Sequence, residues 1–218
     1  MSRLRLRLLA CAALLVSSFV LSGCGQSAVA NRKYYILDAT RQGPPASFHS
    51  NATLRVRRFE VDQAFATKQL VYRVSGSQYE PDFYNQFLIP PGNMIMEKTR
   101  DWLADSGLFQ RVFSAYSPLE STYALEGNVL ELYADFTTGS APQAVMQMRF
   151  FLLAGPDANE AIPLAQTYEA KSPISARTAG AVVTALSNDL TDILTRLEAD
   201  IEKTLLQKNK QEGKKAGT

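Results

Sequence analysis

Two stretches of strict alternation limit what this chain can fold into. Leu130, Leu132, Ala134 and Phe136 alternate with Glu131, Tyr133 and Asp135. Further on, Met146, Met148, Phe150 and Leu152 alternate with Gln147, Arg149 and Phe151. Successive side chains of a strand point to opposite faces, so each stretch has one largely apolar face. Thr137-Thr138-Gly139-Ser140 between them is a turn sequence, and the pair reads as an antiparallel hairpin. A register symmetric about position 140 sets Glu131 opposite Arg149, Leu132 opposite Met148 and Tyr133 opposite Gln147. A slip of one residue would turn charge into the core, so the pattern is expected to fix the register as well.

A half-apolar sheet needs cover, and the C-terminal part supplies it. Val182, Leu186, Leu190, Ile193, Leu197, Ile201 and Leu205 form a continuous stripe at helical spacing, which predicts a long amphipathic helix over 176–207. A second helix opens at Pro90-Pro91-Gly92-Asn93, carries Ile95, Thr99, Trp102, Leu103 and Ser106 on one side, and stops at Gly107. Strands are expected at 34–38, 53–61 with a slip of phase near Arg58, 70–74, 78–87, 108–114 and 164–170. The last residues, 208–218, carry four lysines and one glutamate and read as a disordered basic tail. Strands, a helix, more strands and a closing helix make a mixed sheet covered by helices, of α/β or α+β class, in a single domain over 34–207.

The N-terminus is of a different kind. Arg3, Arg5 and Arg7 precede an apolar run from Leu8 to Leu21, the layout of a secretory signal peptide and short for a membrane span. The run ends in Leu21-Ser22-Gly23-Cys24, which resembles the bacterial lipobox. Residues 1–23 are then removed, Cys24 is lipidated, and residues 24–33 form a small polar tether. Acyl chains such as palmitate on Cys24 would hold the chain to a membrane, since each buried methylene contributes about 0.8 kcal/mol. Gly25, in place of aspartate, favours the outer membrane by resemblance to the enterobacterial sorting rule, with the domain in the periplasm. Cys11 leaves with the leader, so the mature domain has no disulfide and depends on its core, which a domain of this size can supply.

Without the three leader arginines, 20 basic residues face 21 acidic ones. That balance argues against nucleic-acid binding, which calls for a basic excess on one face. Catalytic chemistry is sparse. His49 is the lone histidine and sits in a loop, with no second histidine to share a metal. No nucleophile elbow or phosphate-binding loop occurs. Glu97 and Asp101 share their helical turn with Lys98 and Arg100 and read as a solvated face. No catalytic residue, metal ligand or cofactor follows from the sequence. The richest segment is aromatic: Tyr72, Tyr79, Phe83, Tyr84 and Phe87 crowd together. Their plain role is to pack the first helix onto the sheet. The alternative is a partner surface of Tyr79, Phe83 and Phe87, which regular alternation places on one face, with Tyr84 on the other.

Taken in order, the lipobox, YYIL at 34–37, LRVRRFEVD at 54–62, LVYR at 70–73, Y-x-x-D-F-Y-N-Q-F-L-I-P-P at 79–91 and R-x-W-L-A-D-S-G-L-F-x-x-V at 100–112 resemble the ABC-type transport auxiliary lipoproteins, the family of the paraquat-inducible Pqi lipoprotein. The resemblance implies a single three-layer α/β sandwich with a mixed sheet flanked by helices. It also implies a non-enzymatic auxiliary role beside ABC transporter subunits and MCE-domain proteins that move lipid between membranes. Ring-shaped partners leave room for a homo-oligomer, which nothing in the residues requires. Two other readings stay open. One is a lipid-binding shuttle, which would need a cavity where the hairpin indicates a filled core. The other is an envelope-integrity lipoprotein that binds lipid, peptidoglycan or another outer-membrane protein.

Overall fold

The computed structural model describes residues 31–139, 141–155 and 161–216; the leader, the lipobox and Cys24 lie outside the described residues. The chain divides into Met1–Asn31 and Arg32–Thr218, and the fold is that of the second unit.

The described residues build a nine-stranded mixed sheet around one long strand, β7 (Tyr123–Asp135). One edge of β7 pairs antiparallel with β8 (Gln143–Ala154), which pairs antiparallel with β9 (Ala161–Pro173). The other edge takes three short segments in turn, all parallel: β2 (Ser50–Val56), β3 (Glu60–Val61) and β4 (Gln69–Ser75). β6 (Phe109–Phe113) lies outside β2, β5 (Gln78–Phe87) outside β4, and the short β1 (Lys33–Tyr35) pairs parallel with β5.

The hairpin forms with the expected faces from Leu132 onward and with a different register. Glu131 stands opposite Gln147, Leu132 opposite Met146 and Tyr133 opposite Val145. The Asp135 carboxylate accepts hydrogen bonds from the Thr137 amide and hydroxyl, which draws the turn back towards β7. The resulting shift of two residues keeps each side chain on its face, which is why alternation alone could not detect it. A bulge then leaves Leu130 without a partner, so Val129 and Leu132 both reach the core and Arg149 meets Asn128 instead of Glu131.

The slip of phase near Arg58 is a break between β2 and β3. There the Phe59 ring lies flat against Gly127 of β7, where a Cβ would come within 2.8 Å of the ring, and its edge meets Phe150 at 5.7 Å. The first helix, α1 (Pro91–Asp105), begins against the same spot. A Cβ on Gly92 would lie 2.8 Å from Val61 and 3.1 Å from the Phe59 carbonyl oxygen. The helix ends as expected, at Ser106 and at Gly107 with φ +70.

The second helix, α2 (Ala179–Ala216), buries the stripe from Val182 to Leu205. It also takes in 208–216, expected as a disordered tail: the Lys208 ammonium stands 5.0 Å from the Tyr123 ring centroid, at the start of β7, a contact that no local pattern displays. Both helices lie on one face of the sheet, joined at Glu198. Its carboxylate accepts from Trp102 Nε1 at 2.7 Å and from Arg41 Nε and Nη2 at 2.9 and 2.8 Å. On the far face the segment 62–68 lays Phe65 over Tyr133, ring centroids 5.8 Å apart, and leaves the middle of β7, β8 and β9 uncovered. The α/β class, the mixed sheet and the long C-terminal helix are the architecture expected, with the helices packed together on one face where the resemblance implies a third layer.

Gly127→Ala should lower the stability of the mature chain by about 1–3 kcal/mol, because the added methyl meets the Phe59 ring. In a Phe59→Ala background the same change should cost far less, and a double-mutant cycle in urea measures the difference.

Candidate docking site

Most ionisable groups lie at the surface. His49 is exposed, its Nδ1 2.7 Å from the Gly107 carbonyl oxygen. Asp101 pairs with Arg100 at 2.7 Å, and Lys98 reaches Asp38 at 3.4 Å, so this helix face is a set of surface ion pairs. Among the described residues no group of three histidine, cysteine or acidic side chains could hold a metal ion.

Asp189 of α2 is the exception to exposure: it is fully buried, and neither carboxylate oxygen has a hydrogen-bond partner in good geometry. Burial pushes its pKa up to about 6, tempered by nearby Ser172 and raised further by Asp192 three residues on in the same helix. It is a buried helix residue, not half of a facing carboxylate pair.

The aromatic segment is built in an unexpected way. β4 and β5 pair as Gln69 with Gln86 and Val71 with Pro81, so four residues, Asp82–Asn85, stand opposite Leu70 alone. They form a bulge, and Asp82 is its clasp. One carboxylate oxygen accepts from the amides of Tyr84 and Asn85 at 2.8 and 3.0 Å. The other accepts from Asn85 Nδ2 and the Tyr72 hydroxyl, both at 2.7 Å. Burial raises the Asp82 pKa, but these hydrogen bonds to the charged form outweigh it and hold the carboxyl below its ordinary range. Burial and the same partner push the Tyr72 phenol upward. The clasp presents Phe83 and Tyr84 to solvent, their rings edge-on at 5.2 Å, with the Arg32 guanidinium 4.3 Å over Phe83.

The bulge separates the three residues that alternation grouped together. Phe87 is 2% exposed and belongs to the core, in its plain packing role. Tyr79 turns to the far face of the sheet, against Phe65 and Tyr133 at 6.1 and 5.3 Å, and stays 41% exposed. Phe83 projects from the bulge together with Tyr84, which the alternation had placed on the other side. The sequence signal for this was present in Asp82-Phe83-Tyr84-Asn85, since Asp readily bonds the backbone two residues on and opens a turn.

The domain is thus a mixed sheet under a helix pair, with aromatic rings held out on a clasped bulge. Residues 35–198 match the family described as ABC-type transport auxiliary lipoprotein component, and the chain belongs to that family. Its family role is thus auxiliary to transport. The fold is similar to that of protein XCC0632 from Xanthomonas campestris, with a TM-score of 0.72 at 20% identity over 82% of this chain and 99% of that one. It is also similar to that of an uncharacterised protein of solved structure, with a TM-score of 0.63 at 16% identity over 78% of this chain and 99% of that one. Among curated proteins, none matches the chain in sequence.

Asp82→Ala should cost about 1–3 kcal/mol by leaving the hydrogen-bond donors of the bulge unpaired, and should broaden the NMR signals of Phe83 and Tyr84 while the core signals stay sharp. Asp189 gives a pH dependence. Its folded pKa, about 6, exceeds the ordinary 3.8, so its contribution is fully present below pH 3.8 and is lost as pH rises through 6. Asp189→Asn should therefore raise stability by about 1–3 kcal/mol at pH 8 and leave it unchanged below pH 4, read from thermal melts across pH.

Proposed function

We propose that this protein is a lipid-anchored, non-enzymatic auxiliary subunit of an MCE/ABC-type intermembrane lipid transport system. Cys24 carries the lipid and sits in the outer membrane, residues 25–31 provide slack, and the domain stands in the periplasm. The observation that carries this reading is the family match across the domain, 35–198, behind a leader that ends in a lipobox.

Docking is the mechanism. The far face of the sheet supports it as the surface offered to the periplasmic MCE assembly and the ABC subunits. Its centre is polar and uncovered, with Glu126 paired to Arg57 at 2.7 Å and Arg149 exposed beside Thr167. Its margin carries the half-exposed Tyr79 on a bed of buried Phe65 and Tyr133. An aromatic anchor beside polar residues with satisfied partners is the usual composition of a non-obligate interface.

Affinity purification of the tagged, lipidated chain from crosslinked cells tests this. An MCE-domain protein and ABC subunits should be recovered, Tyr79→Ala should deplete them, and Cys24→Ala should release the protein from the membrane. Recovery of cell wall or unrelated porins alone would favour an envelope-integrity role instead.

A further inference from the structure

Ten large apolar side chains stand exposed among the described residues, and six of them gather along one edge of the domain: Tyr34, Ile36, Phe83, Tyr84, Leu88 and Ile89, each between 36% and 53% exposed. The edge is that of β1 and β5. Tyr34 pairs in register with Gln86, Tyr35 with Phe87, and the Leu88 amide donates to the Tyr35 carbonyl at 2.9 Å. Strand alternation turns Tyr35 and Leu37 inward and Tyr34 and Ile36 outward. The clasped bulge sets Phe83 and Tyr84 at one end of this row, and Leu88 with Ile89 lie at the other. The strip is therefore continuous, and Asp82 holds part of it rigid.

Cations predominate along it. Arg32, Lys33 and Lys68 are exposed along it; Lys68 donates to the Leu88 carbonyl at 2.9 Å, and Arg32 covers Phe83. The carboxylates within 32–38 and 82–89 are Asp38, which pairs with Lys98, and Asp82, which is turned onto Tyr72 and Asn85. Tyrosine and aliphatic side chains rimmed by cations are the composition of surfaces that settle into the headgroup region of a bilayer.

The tether puts this strip within reach of such a surface. Cys24 and Arg32 are separated by Gly25–Asn31, a length that spans at most about 28 Å when fully extended. A compact domain of this size is about 40 Å across, so the tether is shorter than the body it holds. The described chain enters the domain at Arg32, in contact with Phe83. The end of the domain that carries the strip is thus the end kept close to the membrane, whereas the far side cannot be drawn down by so short a leash.

We infer that the strip of Tyr34, Ile36, Phe83, Tyr84, Leu88 and Ile89 is a membrane-docking surface that seats the domain on an anionic bilayer beside its own lipid anchor. This rests on lipidation at Cys24, as proposed above. Seating fixes the orientation of the domain relative to its own anchor.

The test uses the full lipidated chain in phosphatidylethanolamine–phosphatidylglycerol vesicles. Cys11 leaves with the leader and the Cys24 sulfur is occupied, so an introduced cysteine is the sole free thiol. Nitroxide is attached to Phe83→Cys, to Ile36→Cys and, as the reference, to Gln166→Cys on the exposed outer strand. Flotation is read first, then the ratio of collision with oxygen to collision with a water-soluble nickel chelate. Docking gives a severalfold higher ratio at 83 and 36 than at 166, and this difference falls away in Arg32→Glu/Lys33→Glu/Lys68→Glu. Equal ratios at all three sites in protein that floats overturn the docking and leave the anchor standing. Labels that stay aqueous on vesicles and become shielded only when the transporter assembly is added overturn it in favour of a protein partner. Protein that does not float overturns the anchor itself, and the docking with it.

Discussion

The packing of Phe59 against Gly127 is the contact on which the rest of the domain depends. Three short strands must reach the same edge of β7, and they can do so only if the chain steps off that edge and returns. The step is taken at Arg57–Phe59, and what it leaves uncovered is filled by the Phe59 ring lying where β7 has no side chain. Interiors are packed to crystal density, so a ring seated this way admits no extra methyl. α1 then starts against the same backbone through Gly92. One aromatic ring and two glycines thus join the parallel strands, the central strand and the first helix.

From that centre the domain is closed by polar contacts with few alternatives. Glu198 is the clearest, since three donors from Trp102 and Arg41 converge on one half-hidden carboxylate and hold α1, α2 and the segment after β1 together. Charge-assisted bonds of this kind set geometry as well as energy. Asp82 does the same on a smaller scale for the bulge, converting four residues that bulge away from β4 into an ordered projection. Asp189 is the opposite case, a buried carboxylate without such partners, and its raised pKa is the sign of that cost.

These arrangements give the domain two unlike surfaces. The polar far face, with Tyr79 at its margin, is a sheet surface that no helix covers. The edge strip is apolar, cationic at its rim and adjoins the point where the tether enters. Under the function proposed above, the domain meets a membrane and a partner, and the two surfaces are chemically suited to one each.

Much of this was legible in the residues. Alternation over 132–136 and 146–152 specified which side chains face the core, the stripe from Val182 to Leu205 the long helix, and Pro91 and Gly107 the limits of α1. Each is a local signal, a period or a punctuation that the chain carries whatever it packs against. Tertiary structure decided the rest. The hairpin register shifted by two because Asp135 bonds Thr137, and a shift of two is invisible to a period of two. The helix ran past Gln207 because Lys208 finds Tyr123, 85 residues away. Phe83 and Phe87 parted, one to solvent and one to the core, because the Asp82 bulge breaks the alternation between them. Hydrophobicity alone ranks those two rings as equals; only the contacts of their neighbours, distant in sequence, tell them apart.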